Sequence, residues 1–295
     1  ICRVAEEVVR RHMPRCQVVK IPVADGGEGS VDVLLQAMGG QKETAVVKGP
    51  YFEEMESFYG LLKGGDNAVI EMAACAGLPL VEGRADPGKT TTYGVGQLMR
   101  CAVERGCTKL ILALGGSCTN DGGCRAAAAA GVRFYNKAGE AFVPTGGTLE
   151  QIADFDTEGL DQRLKEAQIR IMCDIDNPMV GPNGAAAVFA PQKGADEAEV
   201  RRLERGLCHL NDLWKKKWGR DFSTLAGGGA AGAMGAGMAA FLGGRLQRGI
   251  DVVLDSAGFD RILQDTDLVI TGEGKLDSQS LHGKTVSGVA LRAKE

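Results

Sequence analysis

The chain contains 295 residues, with a net charge of −4 and a pI near 5.6. Its composition, 44% apolar and 24% charged, is ordinary for a globular protein. The charge indicates no basic surface for nucleic acid, and no apolar run approaches the ~20 residues that span a bilayer. We therefore expect small-molecule partners, with no nucleic acid and no membrane among them, and the length favours two domains.

Glycine and cysteine counts bear on chemistry and location. The 43 glycines are about twice the usual ~7% share, which predicts many sharp turns or close backbone approaches. The nine cysteines include no C-x-x-C pair, which favours reduced thiols and a cytoplasmic protein. The chain opens and stops inside helical patterns, so we expect a fragment of a longer protein.

The first third of the chain predicts a helix, a strand, a loop and a second helix, followed by short strands. Apolar spacing predicts helices over 4–13 and 31–38, and a strand over 16–23 that ends at the loop "ADGGEGS". Between residues 44 and 73, three β-rich runs separated by Gly and Asp turns predict short strands with antiparallel pairing.

The rest of the chain alternates strands and helices around glycine-rich loops. The predicted strands are 108–114, 169–175 and 267–274, and the predicted helices are 94–106, 124–131, 196–218 and 232–242. This alternation predicts an α/β protein whose functional sites lie at the carboxyl ends of strands.

The stretch "GRADPGKT" at 83–90 matches the phosphate-loop pattern G-x-x-x-x-G-K-[ST]. A working phosphate loop follows a buried strand, and its Lys and Thr open a helix. Here Pro79 interrupts the preceding segment, Pro87 removes a backbone donor, and the helix is predicted to begin near residue 92 or 94. We interpret the stretch as a surface loop in which one of the threonines at 90–92 caps the helix.

A second literal match, "GGGAAG" at 227–232 with Asp251 about 20 residues on, fits the dinucleotide pattern G-x-G-x-x-G. The preceding segment 220–226 is too polar for a central strand, and glycines continue at 235 and 237. We therefore favour close backbone packing, or a glycine-rich wall around a different nucleotide, over nicotinamide binding.

Four polar loops, each following a β-rich run, carry the strongest functional signal. Taken singly, each has an ordinary explanation as a turn or a helix cap. Together they offer carboxylates, cations and glycine backbones, the groups that phosphoryl transfer needs for metal binding, charge neutralisation and positioning. The polar residues are Asp25, Glu28, Ser117, Thr119, Asn120, Asp121, Asp174, Asp176, Asn177, Glu273, Lys275, Asp277, His282 and Lys284.

These same stretches resemble the bacterial glycerate kinases of the type I family. The similarity runs nearly from end to end and includes "PVADGGEGS", "GGSCTNDGG", "CDIDNPMVGPNGAAAVFAPQKGA" and "DLVITGEGKLDSQSLHGKT", in family order. The resemblance implies phosphorylation of D-glycerate by MgATP. It also implies that "GRADPGKT" corresponds to a "DP…TTYG" loop and is no phosphate loop.

The resemblance further implies two different α/β domains with the active site between them. A discontinuous, Rossmann-like domain with a parallel sheet would comprise 1–55 plus 256–295, and a mixed-sheet α/β domain, 56–255, would be inserted in it. The family's opening strand with an "APDSFK"-like loop and a C-terminal strand and helix are absent from this sequence. We therefore expect part of the outer sheet and part of the site to be missing.

On this interpretation the chain uses ATP and Mg²⁺ to convert D-glycerate to 2-phosphoglycerate. Asp174 or Asp121 would deprotonate the glycerate hydroxyl, with Lys275 and His282 also catalytic, and Asp25, Glu273 and Asp277 would hold Mg²⁺. The groups expected to bind substrate or nucleotide are Gly26, Gly27, Glu28, Gly115, Gly116, Ser117, Thr119, Asn120, Asn177 and Lys284.

A homodimer is one candidate assembly of this chain. Three alternatives for its function stay open. The chain could yield 3-phosphoglycerate or phosphorylate another small hydroxy acid. It could instead be an inactive sensor of glycerate or nucleotide, or an NAD oxidoreductase as "GGGAAG" suggests.

Overall fold

The computed structural model describes residues 2–24, 26–273 and 285–294, which form an α/β fold around a six-stranded sheet. The strands are β1 Gly40–Lys48, β2 Glu54–Leu62, β3 Asn67–Glu71, β4 Lys109–Ala113, β5 Arg133–Tyr135, β6 Ala141–Phe142, β7 Asp154–Asp156, β8 Gln168–Met172 and β9 Arg245–Gln247. The helices are α1 Cys2–His12, α2 Ser30–Met38, α3 Ala73–Ala76, α4 Tyr93–Glu104, α5 Cys124–Ala129, α6 Gln162–Glu166, α7 Ala185–Phe189, α8 Glu197–Trp218, α9 Ala230–Leu242, α10 Gly249–Ala257, α11 Phe259–Leu263 and α12 Thr285–Lys294.

The large sheet has the strand order β1-β2-β3-β4-β8-β9 and is mixed. The first three strands pair antiparallel, whereas β3, β4, β8 and β9 are parallel to one another. Both the predicted α/β class and the antiparallel pairing of the strands between 44 and 73 are therefore confirmed.

The central strands bury both of their faces. Successive side chains of a strand point to opposite faces, so Ile70 and Leu112 enter the main core beneath α4 and α5. Val69, Ile111 and Met172 point the other way, into a smaller core that α2 and α10 cover. Apolar residues on both faces are typical of parallel strands between two layers of helices.

The longest helix, α8, presents one apolar face to the core. Its buried residues Leu203, Leu207, Leu210 and Trp214 follow helical spacing, and the Asp196 side chain caps its first turn by accepting from the Glu199 N–H. Within the described ranges, no helix has the length and apolar composition needed to cross a membrane.

A small antiparallel sheet of β6, β5 and β7 packs against α8 and α9 through aromatic rings. Phe134 of β5 and Phe155 of β7 meet Phe241 of α9 edge to face, with ring centroids 5.8 Å and 5.6 Å apart. Trp218 of α8 completes the cluster. These contacts fix α9, whose first turn lies beside the functional loops described below.

The glycines of "GGGAAG" serve close backbone packing, as the sequence interpretation favoured. A Cβ atom at Gly232 would lie 2.1 Å from the Thr119 carbonyl oxygen, and one at Gly229 would lie 2.3 Å from that of Pro178. Residues Ala231, Gly232 and Ala233 all have left-handed φ values, 54°, 65° and 68°. A positive φ is unfavourable for alanine, so Ala231 and Ala233 carry backbone strain. Strained residues are common next to functional sites.

Two predicted strands were wrong. The segments 16–23 and 267–273 run without strand assignment, and Leu268 and Ile270 are 69% and 68% exposed. Ile21 and Val23 do pack against the core beside α10. The described residues supply no neighbouring strand for either segment, and an apolar run becomes a sheet strand only when a partner satisfies its backbone.

The division into 1–55 with 256–295 and an inserted 56–255 stays a prediction. Residue 55 lies inside β2, which pairs with β1 along its whole length, and residue 255 lies inside α10. We propose that boundaries before Gly40 and after Gln247 describe two units better, because they leave the six-stranded sheet intact.

Candidate active site

A cleft of about 1910 Å³ lies at the carboxyl ends of β4 and β8. Its lining includes residues 114–117 after β4, residues 173–175 after β8, Ala230 and Ala231 at the start of α9, and the two extended segments 15–24 and 265–273. Loops after adjacent parallel strands meet at one edge of a sheet, which is where α/β proteins bind ligands. The predicted position of the site at strand ends thus coincides with this cleft.

The glycines of two predicted loops are in direct backbone contact. The Gly115 N–H donates to the Gly26 carbonyl oxygen at 2.8 Å, and a Cβ atom on Gly115 would lie 2.5 Å from the Gly27 Cα. Gly115 is therefore needed for packing, and its N–H does not face a ligand. In the part of the chain that the structure describes, the Gly116 and Ser117 N–H groups make no hydrogen bond, so those two keep the predicted capacity to bind an anion.

Asp121 is a structural carboxylate. It is fully buried and lies behind the cleft lining, and its oxygens accept from the Thr92 N–H, the Thr92 hydroxyl and the Gly123 N–H at 2.9–3.2 Å. Burial raises its pKa, although the hydrogen bonds from Thr92 and Gly123 act against that shift. Through these bonds Asp121 joins the start of α4 to the start of α5. A buried carboxylate that already accepts these hydrogen bonds is a poor candidate for the base.

Thr119 and Asn120 are buried next to Asp121 and outside the cleft lining. The Thr119 hydroxyl and both amide atoms of Asn120 have no hydrogen-bond partner among the described residues. Such groups are costly to bury and rare in folded proteins. Their predicted binding roles stay predictions. Neither side chain lines the cleft, so neither is placed to contact a ligand there directly.

Asp174, the other candidate base, lies on the cleft surface. Its Oδ1 atom accepts from the Gly249 N–H at 2.7 Å, and Gly249 is the first residue of α10. A helix N-terminus favours negative charge, and this contact orients the carboxylate. The Asn177 amide on the same loop donates to the Asn183 carbonyl oxygen at 2.9 Å, which ties the loop to itself.

The two predicted glutamates, Glu28 and Glu273, also line the cleft, and a buried glutamate, Glu71, holds the loop of Glu28. Glu28 is exposed, whereas the Oε1 atom of Glu273 is buried with no partner among the described residues. Glu71, at the end of β3, is buried and accepts from the Gly29 N–H at 2.8 Å and the Val31 N–H at 3.1 Å. Glu71 thereby fixes the start of α2. The sequence analysis missed this role, although a carboxylate as the last residue of a buried strand was a signal for it.

Lys193, which no sequence pattern indicated, also lies at the cleft. Its ammonium lies on the cleft lining, is almost fully buried, and donates to the Ser117 hydroxyl oxygen and the Thr119 carbonyl oxygen at 2.8 Å each. Burial lowers its pKa to about 8. The available signal was a single cation in the otherwise apolar stretch "AAAVFAPQKGA".

Five predicted residues lie outside the described ones: Asp25, Lys275, Asp277, His282 and Lys284. Of the three predicted metal ligands, only Glu273 can be placed. Among residues 2–24, 26–273 and 285–294, no group of three or more His, Cys, Asp or Glu side chains could hold a metal ion.

The loop at 83–90 does not line the cleft, although the Thr90 hydroxyl donates to the Cys118 carbonyl oxygen at 2.8 Å. Lys89 is 74% exposed and pairs with Asp86 at 2.9 Å, and helix α4 begins only at Tyr93. The rejection of a phosphate loop agrees with this geometry. The three threonines are buried, so this part of the loop is not at the surface. The Thr91 hydroxyl accepts from the Tyr93 N–H at 3.0 Å and so meets the start of α4, as predicted for one of the three. The Thr92 hydroxyl instead donates to Asp121 and accepts from the Ala126 N–H of α5.

Fold and cleft together define an α/β protein with a cleft at the carboxyl ends of its parallel strands. The sequence model of the Glycerate kinase family matches residues 1–295. The chain is 46% identical to a Bacillus subtilis protein named "Glycerate kinase" over 95% of its own length and 74% of that protein, and 43% identical to an Escherichia coli K12 protein named "Glycerate 2-kinase" over 100% and 78%.

A solved structure supports the same assignment. The fold matches the structure named "putative glycerate kinase 2" from Salmonella typhimurium LT2 with a TM-score of 0.93 and 43% identity, over 99% of this chain and 78% of that one. The chain belongs to the glycerate kinase family and is a kinase enzyme.

Proposed function

We propose that this chain phosphorylates D-glycerate with ATP to give 2-phosphoglycerate and ADP in the cleft at the carboxyl ends of β4 and β8. The observation that carries the proposal is the convergence there of Asp174, Glu28 and Glu273 with the Gly116 and Ser117 backbone. A relative named glycerate 2-kinase supports the choice of the 2-phosphate.

In the proposed reaction the C2 hydroxyl oxygen of glycerate attacks the γ-phosphorus of ATP. The new P–O bond forms as the bond to the ADP oxygen breaks, and the hydroxyl proton passes to the Asp174 carboxylate. The Gly249 N–H holds Asp174 in one orientation during this transfer. The Gly116 and Ser117 N–H groups would donate to phosphate oxygens, because phosphoryl transfer depends mainly on positioning and charge stabilisation.

The residues that line the cleft fit a magnesium ion. The Glu273 Oε1 atom is buried without a partner among the described residues, and carboxylate oxygens are the ligands that Mg²⁺ prefers. We propose that Glu273 holds the ion with Asp25 and Asp277, the two predicted ligands that lie outside the described residues. When bound, Mg²⁺ neutralises charge on the β- and γ-phosphates. Lys275, His282 and Lys284 keep their predicted roles at the same site.

The test is an ADP-release assay with D-glycerate, L-glycerate and no acceptor, each with and without Mg²⁺. We expect metal-dependent turnover on D-glycerate, and ³¹P NMR of the product should then show the 2-phosphate. A 3-phosphate product, or turnover only on another hydroxy acid, would replace the substrate assignment. Binding of D-glycerate and ADP without any turnover would replace the enzyme with a sensor.

A further inference from the structure

Lys193 is a buried cation that no carboxylate of the described residues neutralises directly. Its ammonium makes two hydrogen bonds, both to neutral oxygens, the Ser117 hydroxyl and the Thr119 carbonyl. An ammonium has three donors, so one proton has no partner among the described residues. Removing a charge from water is costly unless it is paired. Within the part of the chain that the structure describes, this point of the cleft lining therefore carries a positive charge without a carboxylate partner.

The ionisable groups that face Lys193 do not supply the missing partner. Asp121 influences it electrostatically, but its oxygens are bonded to Thr92 and Gly123. The Cys118 thiol is buried, and burial raises its pKa to about 12, so that it stays neutral. Neither group is joined to the ammonium by a hydrogen bond.

Ser117 extends the same donor set into the cleft. Its hydroxyl oxygen accepts from Lys193, so its own O–H hydrogen must point elsewhere, and Ser117 lines the cleft. A hydroxyl polarised by a cation is a stronger donor. Next to it, the Gly116 and Ser117 N–H groups make no hydrogen bond among the described residues.

We propose that Lys193 and the Ser117 hydroxyl form a subsite that binds an anionic oxygen of the substrates, either a phosphate of the nucleotide or the carboxylate of the hydroxy acid. This inference rests on the proposed function, because it assigns a ligand group to the same cleft. The substrate anion then supplies the negative charge that pairs with the Lys193 ammonium. Ser117 then donates to the anion while it accepts from Lys193.

A purely structural lysine is the alternative. Its two bonds join the loop after β4 to the 3₁₀ turn Pro191–Lys193, and an anchoring role would end there. The two roles differ in what Lys193→Met changes. If Lys193 is only an anchor, the Lys193→Met protein should lose stability with little change in ligand affinity. If Lys193 belongs to a binding subsite, the variant should lose affinity and keep most of its stability, since methionine fills the site without a buried charge.

The experiment measures direct binding of Mg²⁺-ADP and of D-glycerate, separately, by isothermal titration calorimetry. The proteins are wild type, Lys193→Met, Lys193→Arg and the control Lys89→Met, which removes an exposed lysine. We expect Lys193→Met to lower the affinity for one of the two ligands about 30-fold, the scale of a lost charge-assisted hydrogen bond, with an unfolding midpoint within about 3 °C of wild type. The affected ligand identifies the anion. Lys89→Met should bind as wild type.

The pH dependence of ligand affinity is a second measurement, and a lysine that serves only as an anchor would not affect it. Lys193 is the cation below its pKa of about 8 and loses its charge above it. Affinity for the affected ligand should therefore fall about tenfold per pH unit above that value in wild type. Arginine does not deprotonate in this range, so Lys193→Arg should remove the dependence. D-Glycerate keeps one charge throughout, which excludes titration of that ligand.

Each outcome separates this subsite from the kinase assignment. Wild-type turnover with both affinities unchanged in Lys193→Met would overturn the subsite and leave the kinase. Binding that depends on Lys193 without turnover would support the subsite and overturn the kinase. A wild-type chain that binds neither ligand would overturn both.

Discussion

Two regions of this molecule bring glycine, a lysine and hydroxyl residues together, and they differ in burial. The loop at 83–90 matches a nucleotide-binding pattern letter for letter, yet its lysine is exposed and paired with Asp86. The loops after β4 and β8 match no short pattern, yet both line the cleft, and the loop after β4 contacts the buried Lys193. A set of residue types becomes a site only where the fold removes water and aligns the donors.

The same comparison separates two aspartates that follow strands. Asp174 lines the cleft and accepts from the Gly249 N–H, whereas Asp121 is fully buried and accepts from Thr92 and Gly123. We propose that Asp174 receives a proton and that Asp121 holds helices together. The first two predictions test this difference directly.

The largest effect is expected from Asp174→Asn. The amide keeps an oxygen for the Gly249 N–H but cannot accept the hydroxyl proton, so kcat should fall about 10²- to 10⁴-fold. The measurement is ADP release at saturating ATP and D-glycerate, with the unfolding midpoint as the control for folding. A loss below about tenfold would remove Asp174 as the base.

The second-largest effect is expected from Asp121→Asn and concerns the stability of the fold. Asp121→Asn should lower the free energy of unfolding by about 2 kcal/mol, because one carboxylate oxygen that accepts from Thr92 or Gly123 becomes an NH₂ group. Urea denaturation measures the change, and Thr92→Val should give a smaller loss of the same kind. If Asp121→Asn folds as well as wild type but loses turnover, the structural assignment of Asp121 is wrong.

A smaller loss is expected at the end of β3. Glu71→Gln keeps one acceptor for Gly29 or Val31 and should cost about 1 kcal/mol of stability. Because Glu71 fixes the start of α2 and the Glu28 loop before it, the KM for at least one substrate should rise as well. Urea denaturation and steady-state kinetics on one preparation test both. An unchanged midpoint with unchanged KM would remove this role.

The smallest effect is expected at the loop that matches the phosphate-loop pattern. Lys89→Met removes an exposed pair with Asp86, and exposed pairs contribute about 0–1 kcal/mol. The KM for ATP should stay within about twofold of wild type, since typical losses of a direct phosphate contact are far larger. Initial rates over a range of ATP concentrations give this value, and a tenfold rise would place the nucleotide at 83–90.

Much of the fold could be predicted from the sequence because local patterns determine it. The apolar run at 110–112 predicts a buried strand, and the spacing of Leu203, Leu207 and Leu210 predicts α8. The strands predicted at 16–23 and 267–274 were wrong for the described residues, because a local pattern cannot show whether a neighbouring strand is present. The location of the cleft at strand ends followed from the α/β alternation.

The roles within the site depend on contacts between distant residues. Asp121 and Asp174 look alike in sequence, and their difference arises from Thr92 in one case and Gly249 in the other. Lys193 was missed because one lysine between alanines and glycines gives no indication that its ammonium is buried against Ser117. Burial of a charge is a property of tertiary structure and is visible only after folding.

The most direct test of where substrates bind is amide hydrogen exchange with and without D-glycerate and Mg²⁺-ADP. We predict slower exchange in peptides that cover 114–121 and 172–177 when the ligands are bound, and unchanged exchange in peptides that cover 83–89. Slower exchange at 83–89 with no change at 114–121 and 172–177 would contradict the assignment of this cleft as the kinase site.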